Sequence, residues 1–151
     1  MNALDGLVRR HAVEDLLLAY ATALDSRDWP ALEQVFSADA VADYRGIGVF
    51  EGRPALVGVI AYFLGRCGAT QHMITNMRVE CSSADVARAR CYLQATHAGK
   101  DAYAGQTMTV WGEYVDRVER RPEGWRIVHR TLYVQHVVGD VGAALKAESG
   151  G

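Results

Sequence analysis

The chain reads as an α+β domain, because helical periodicity dominates its first part and strand-like runs fill the rest. An apolar stripe at helical spacing covers about residues 7–25. After Gly68 come four long strand-like runs, at about 70–81, 85–98, 105–119 and 124–138. Ser82-Ser83-Ala84, Gly99-Lys100-Asp101 and Arg121-Pro122-Glu123-Gly124 separate them as turn signals. Helices first and strands later imply helices packed on one face of a curved antiparallel sheet.

In the first helix Leu7, His11, Glu14 and Leu18 trace one row, and Val13, Leu16, Leu17, Tyr20 and Leu24 form the apolar stripe. Asp25 follows Leu18 and Ala21 along an apolar edge, where a carboxylate without a partner is costly. Asp28 reads as an N-cap, with Pro30 in the first turn of a second helix at about 29–37. Ala40-Val41-Ala42-Asp43-Tyr44 looks like a short strand, and Gly46, Gly48 and Gly52 mark turns. Pro54 opens a third helix with Leu56, Val59, Ile60 and Phe63 at its apolar positions. In the second long strand His97 shares parity with Leu93, Cys91 and Ala89, which points it toward the core. His72 shares parity with Ile74 but also with Asn76 and Arg78, so alternation alone leaves its direction open. Trp111 shares parity with Thr107 and Thr109.

A length of 151 residues fits one domain, with a core at about 8–138 and a frayed helix or tail over 139–151. A formal net charge of −2 argues against a dedicated nucleic-acid binder. Arg117, Arg120 and Arg121 are interleaved with Asp116, Glu119 and Glu123, the pattern of a solvated hairpin end. Cys67, Cys81 and Cys91 have neither the number nor the spacing of a disulfide framework or zinc knuckle, and read as small buried hydrophobes. The N-terminus lacks the apolar run of a signal peptide and no stretch reaches membrane-spanning length, so a cytoplasmic protein with no membrane partner is expected. No phosphate-binding glycine loop, serine elbow or H-E-x-x-H motif is present, so neither a cofactor nor a metal is expected.

The order of motifs resembles a known family. A helix, then Asp25-Ser26-Arg27-Asp28-Trp29, Asp43-Tyr44, Thr70-Gln71-His72 and a last strand with Gly124-Trp125-Arg126-Ile127 are similar to the SnoaL-like branch of the nuclear transport factor 2-like superfamily. The likeness covers about residues 8–138 and implies a cone-shaped α+β barrel, in which a curved sheet wraps a helix around an apolar pocket. Scytalone dehydratases resemble the chain at these motifs and at His97; bile acid 7α-dehydratase resembles it at Tyr20, Asp25 and His72; hexachlorocyclohexane dehydrochlorinase resembles it at Asp25, His72 and Gly46-Ile47-Gly48. The chain departs from the first at Leu24, where a tyrosine precedes the aspartate, and from the last at Tyr20, where a lysine stands.

The resemblance implies a lyase of the dehydratase type on a small-to-medium cyclic carbonyl compound, polyketide- or steroid-like, with Asp25 and His72 as a general base. A cyclase or isomerase using the same pair, and a non-catalytic binding or assembly module on the same cone, are the competing readings. The competing structural reading of Asp25 and His72 is a buried ion pair or a helix-end carboxylate held by hydrogen bonds. His97 reads either as the proton donor to a leaving hydroxyl or as a satisfied histidine near a strand end. Tyr44 would hold a carbonyl oxygen, with Tyr20 beside it or in the core. Trp111, Phe50, Met73 and Leu93 are expected as apolar walls of the substrate site. Arg130 could meet an anionic substrate group, or lie in a surface or dimer salt bridge. A homo-oligomer, dimer or trimer, is implied by the same likeness.

Overall fold

The computed structural model describes residues 2–143. Helix α1 spans Ala3–Ser26, opened by the Asn2 side chain, which accepts the Asp5 N–H at 2.8 Å. It buries Val13, Leu16, Leu17, Tyr20, Ala23 and Leu24, the predicted stripe. A short 3-10 turn, Pro30–Gln34, follows, then β1 (Phe36–Tyr44), β2 (Gly48–Glu51) and helix α2 (Arg53–Gly65). Four long strands complete the chain: β3 (Thr70–Cys81), β4 (Val86–Ala98), β5 (Thr107–Arg121) and β6 (Gly124–Gly139).

These strands form a single sheet in the order β2-β1-β6-β5-β4-β3. Neighbours are antiparallel except β1 and β6, which run parallel. The curved antiparallel sheet expected from the sequence is thus present, with that one parallel join added to it. The expected helix at about 29–37 is corrected. Asp28 does accept the Ala31 N–H at 3.2 Å, but only a 3-10 turn forms. Phe36 then enters the sheet opposite Ile127, and both side chains are fully buried. Burial of that pair outweighs a marginal local helix preference. The β2 strand, read as a glycine-marked turn region, pairs with β1 across the loop Arg45-Gly46-Ile47. Gly46 in that loop has φ +78°, the left-handed region that glycine enters most readily.

Bulges shape the sheet. In β3, Asn76 and Met77 together oppose Cys91, and Asn76 has φ +51°. The extra residue shifts the alternation. His72 and Ile74 therefore share the inner side with Met77 and Val79, while Arg78 is exposed. Bulges between Trp111 and Gly112 and between Arg117 and Val118 bend the long β5–β6 ribbon. A Cβ at Gly112 would lie 2.8 Å from the Tyr133 carbonyl oxygen, so the close approach there needs glycine.

The core lies between α1, α2 and the concave sheet face, and includes Leu17, Leu32, Phe36, Leu56, Val118 and Ile127. Cys67 and Cys91 are buried, Cys81 is half-buried, and all are free thiols. Beyond β6, Val141 and Ala143 are buried with Cys67 and Met108, so the first part of the expected tail is packed. The remainder of the tail, 144–151, lies outside the described residues.

Candidate active site

The last turn of α1 carries Asp25 to the start of β3, an edge strand. An edge residue has a backbone N–H without a sheet partner. Here the His72 N–H donates to Asp25 Oδ2 at 2.9 Å. The His72 ring Nδ1 meets Oδ1 at 2.6 Å, and the Thr70 hydroxyl donates to Oδ1 at 3.0 Å. Three hydrogen bonds thus hold the carboxylate in one orientation. Against a carboxylate, Nδ1 carries the ring proton, which leaves the lone pair on Nε2. His72 lines a cavity of about 300 Å³ between α1, α2 and the sheet. Burial lowers the His72 pKa below its usual value, against the opposing pull of Asp25.

His97 lines the same cavity, with its ring centroid 5.5 Å from that of His72 and 5.3 Å from that of Phe63. Its Nδ1 faces the Met108 carbonyl oxygen at 3.2 Å and so carries the ring proton. Burial, and then the His72 charge, push its pKa down to about 4. At neutral pH His97 is therefore an uncharged ring with an Nε2 lone pair, a hydrogen-bond acceptor. That does not match the proton donor expected of it.

Tyr20, Tyr44 and Tyr114 also line the cavity. The Tyr20 and Tyr114 hydroxyls lie 3.2 Å apart, and the Tyr44 hydroxyl interacts with Tyr20. Burial raises the pKa of Tyr44 and Tyr114 well above the usual value, so both phenols keep their protons. Beneath them Arg130 is 1% exposed and forms a two-pronged pair with Asp116, at 2.8 and 2.7 Å. Its guanidinium carbon lies 3.9 Å from the Tyr114 ring centroid and 4.3 Å from that of Tyr20. Neither the substrate contact nor the surface or dimer salt bridge expected of Arg130 is found: it is a buried support for the phenols.

Of the expected walls, Leu93 lines the cavity. Met73 is 40% exposed on the outer side of β3, away from it. Trp111 sits on the opposite side of β5 from the cavity-lining Met108 and Val110, with its ring 5.4 Å from His136. Phe50 packs edge-on against Tyr44 at 5.6 Å without reaching the cavity. These three expectations are corrected, each because alternation sends the side chain elsewhere or another ring intervenes. The sequence reading missed Tyr114, Phe63 and Met108. Met108, Val110, Tyr114 and Val118 do share strand parity, an apolar set that Gly112 and Asp116 interrupt.

Among the described residues no group of three or more His, Cys, Asp or Glu is arranged to hold a metal ion. No described helix is long and apolar enough to cross a membrane.

With this architecture in view, comparison with known proteins is decisive for the family. The model of the SnoaL-like domain matches residues 6–131. The chain belongs to the SnoaL-like domain family. An uncharacterized protein of Mycobacterium tuberculosis is 34% identical over 124 residues, covering 80% of this chain and 82% of that protein. A Novosphingobium aromaticivorans structure, provisionally named an aromatic ring hydroxylase, is 32% identical with TM-score 0.77, covering 87% of this chain and 92% of that one. A second structure from that species, provisionally named a scytalone dehydratase, is 21% identical with TM-score 0.84, covering 98% of each chain. A hexachlorocyclohexane dehydrochlorinase from Novosphingobium barchaimii is 22% identical with TM-score 0.81, covering 93% of this chain and 96% of that one. The last two share the fold: a helix packed on a curved, mostly antiparallel six-stranded sheet of the nuclear transport factor 2-like type.

Proposed function

We propose that this SnoaL-like protein is a cofactor-independent lyase of the dehydratase type, acting on a compact cyclic carbonyl compound with a hydroxyl β to the carbonyl. The observation that carries the reading is the 2.6 Å contact between Asp25 Oδ1 and His72 Nδ1 at the wall of an apolar cavity. A buried imidazole oriented by a carboxylate, with a free Nε2, is a general base. The cavity, at about 300 Å³, is at the small end of ligand pockets, which suits a ring compound. The dehydratase and dehydrochlorinase names of similar structures are both elimination chemistries.

In this reading His72 Nε2 takes the proton from the carbon next to the carbonyl. The electron pair moves onto the carbonyl oxygen as an enolate, which the phenols of Tyr44 and its neighbours stabilise by donating a hydrogen bond. The enolate then re-forms the carbonyl, the carbon–oxygen bond to the leaving hydroxyl breaks, and the His72 imidazolium returns its proton to make water. One histidine serves as base and then acid. Neutral His97 accepts a hydrogen bond from the departing hydroxyl group and so helps to orient it.

The test is a survey of cyclic β-hydroxy ketones that reads the absorbance of the conjugated product. Support is turnover by the wild type that falls about 10²–10⁴-fold in His72→Ala, with circular dichroism unchanged. Near-normal turnover in His72→Ala sinks the mechanism. Tight binding of ring compounds with no turnover of any would assign the cavity to a binding module.

A further inference from the structure

Arg27, the residue after α1, has φ +59°, a left-handed conformation most easily occupied by glycine. A bulky side chain at a strained position suggests that the side chain itself is needed. Its Nη1 donates to the Leu24 carbonyl at 2.7 Å and to Thr70 Oγ1 at 2.8 Å, and its Nη2 donates to the Gly68 carbonyl at 2.7 Å. A guanidinium can only donate, so the Thr70 oxygen is the acceptor in that contact. The Thr70 proton is thereby directed to Asp25 Oδ1, the same oxygen that meets the His72 ring. The chain of contacts has one direction: Arg27 to Thr70 to Asp25, with His72 donating from the other side.

We propose that Arg27 is a positioning residue of the Asp25–His72 pair, acting through the Thr70 hydroxyl to hold the carboxylate aimed at the His72 ring. The proposal rests on the general-base reading. Three polar groups face His72 from the elements around it: Asp25 at the end of α1, Arg27 just beyond it, and His97 on β4. The Arg27 charge opposes protonation of both imidazoles, while Asp25 favours it. Removing that charge raises the His72 midpoint while loosening the stronger Asp25 contact lowers it, so the position of the ring proton, rather than the midpoint, reads the positioning role.

The experiment is nuclear magnetic resonance titration of the His72 ring in full-length, isotope-labelled protein, which needs no substrate. In the wild type, ring ¹⁵N shifts should report a proton fixed on Nδ1. In Arg27→Gln the tautomer signature should become mixed. Arg27→Lys, which keeps the charge but lacks the fork, should mix the tautomers as well. Thr70→Val should mix them too, and adding Arg27→Gln to it should mix them no further. Arg27→Gly, which suits the left-handed backbone, gives a variant expected to fold with the same readout as Arg27→Gln. A wild-type signature that persists in Arg27→Gln and Arg27→Gly overturns the proposal alone. A wild-type His72 ring with the mixed tautomers of a free histidine overturns the general-base reading and the proposal with it.

Discussion

Replacing Arg130 with methionine removes a guanidinium that is 1% exposed and leaves the Asp116 carboxylate, also 1% exposed, without its two charge-assisted hydrogen bonds at 2.7 and 2.8 Å. Breaking a buried pair from one side costs about 3–5 kcal/mol, because an uncompensated charge stays inside. The lost contacts with the faces of Tyr20 and Tyr114, at 4.3 and 3.9 Å, act in the same direction. For a domain of this size, about 1 kcal/mol corresponds to roughly 2–4 °C in Tm, so a fall on the order of 6–20 °C is expected. The double variant Arg130→Met with Asp116→Leu removes both charges and should recover most of the loss, since an apolar pair of similar volume can be neutral or stabilising. Urea denaturation and thermal melts of wild type, both single variants and the double variant close the cycle. A loss below about 1 kcal/mol in Arg130→Met, or a double variant as unstable as the sum of the singles, would refute the reasoning.

Three further outcomes follow from the same geometry. His97 has a pKa near 4 in the folded chain against 6.5 for the free side chain, so the unfolded state binds the extra proton between those values. Stability should therefore fall as pH drops from about 6.5 to 4, by up to about 3 kcal/mol, and His97→Gln should flatten that slope in urea titrations; a wild-type slope that survives in His97→Gln refutes the assignment. Tyr114→Phe removes a phenol next to Tyr20 without emptying the cavity, and kcat on an active substrate should drop about 10–10²-fold with KM little changed; a rise in KM alone would make Tyr114 a binding contact. Asp25→Asn combined with His72→Ala should be hardly worse than His72→Ala, and a multiplicative loss in kcat would show that the two side chains act separately.

How far the sequence could be read depends on the range of the interaction involved. The α1 stripe and the four long strands are local patterns, and their positions agree with the structure to within a few residues. The 3-10 turn in place of a helix and the parallel β1–β6 join come from distant partners, Phe36 with Ile127, and no local window contains both. His72 is the instructive case. Its parity with Asn76 and Arg78 left its direction open, and the bulge at Asn76–Met77 removes the conflict by shifting the alternation beyond it. Arg130 was unreadable for a different reason: its meaning depends on Asp116 across the ribbon and on aromatic rings from α1 and β5, all joined only in three dimensions.

The distribution of burial explains why an imidazole in this site can remain a free base. The Asp25 side chain keeps 27% exposure, and three protein hydrogen bonds replace much of the hydration it gives up. The His72 side chain is 5% exposed, and burial is the largest influence on its pKa. If burial fell instead on the carboxylate, the shared proton would be drawn toward Asp25, and the pair would lose its fixed donor at Nδ1. Arranged as it is, the pair keeps its negative charge at the rim and its lone pair inside. The opposite pole of the cavity follows the same logic, since the Arg130 charge is cancelled by Asp116 below the phenols, which meet the cavity as hydroxyl groups; Arg45, the other basic residue near that pole, is paired with Asp43 at 3.1 Å. In the proposed elimination, an enolate beside the phenols would be stabilised by their hydrogen-bond donation, which strengthens as the negative charge develops.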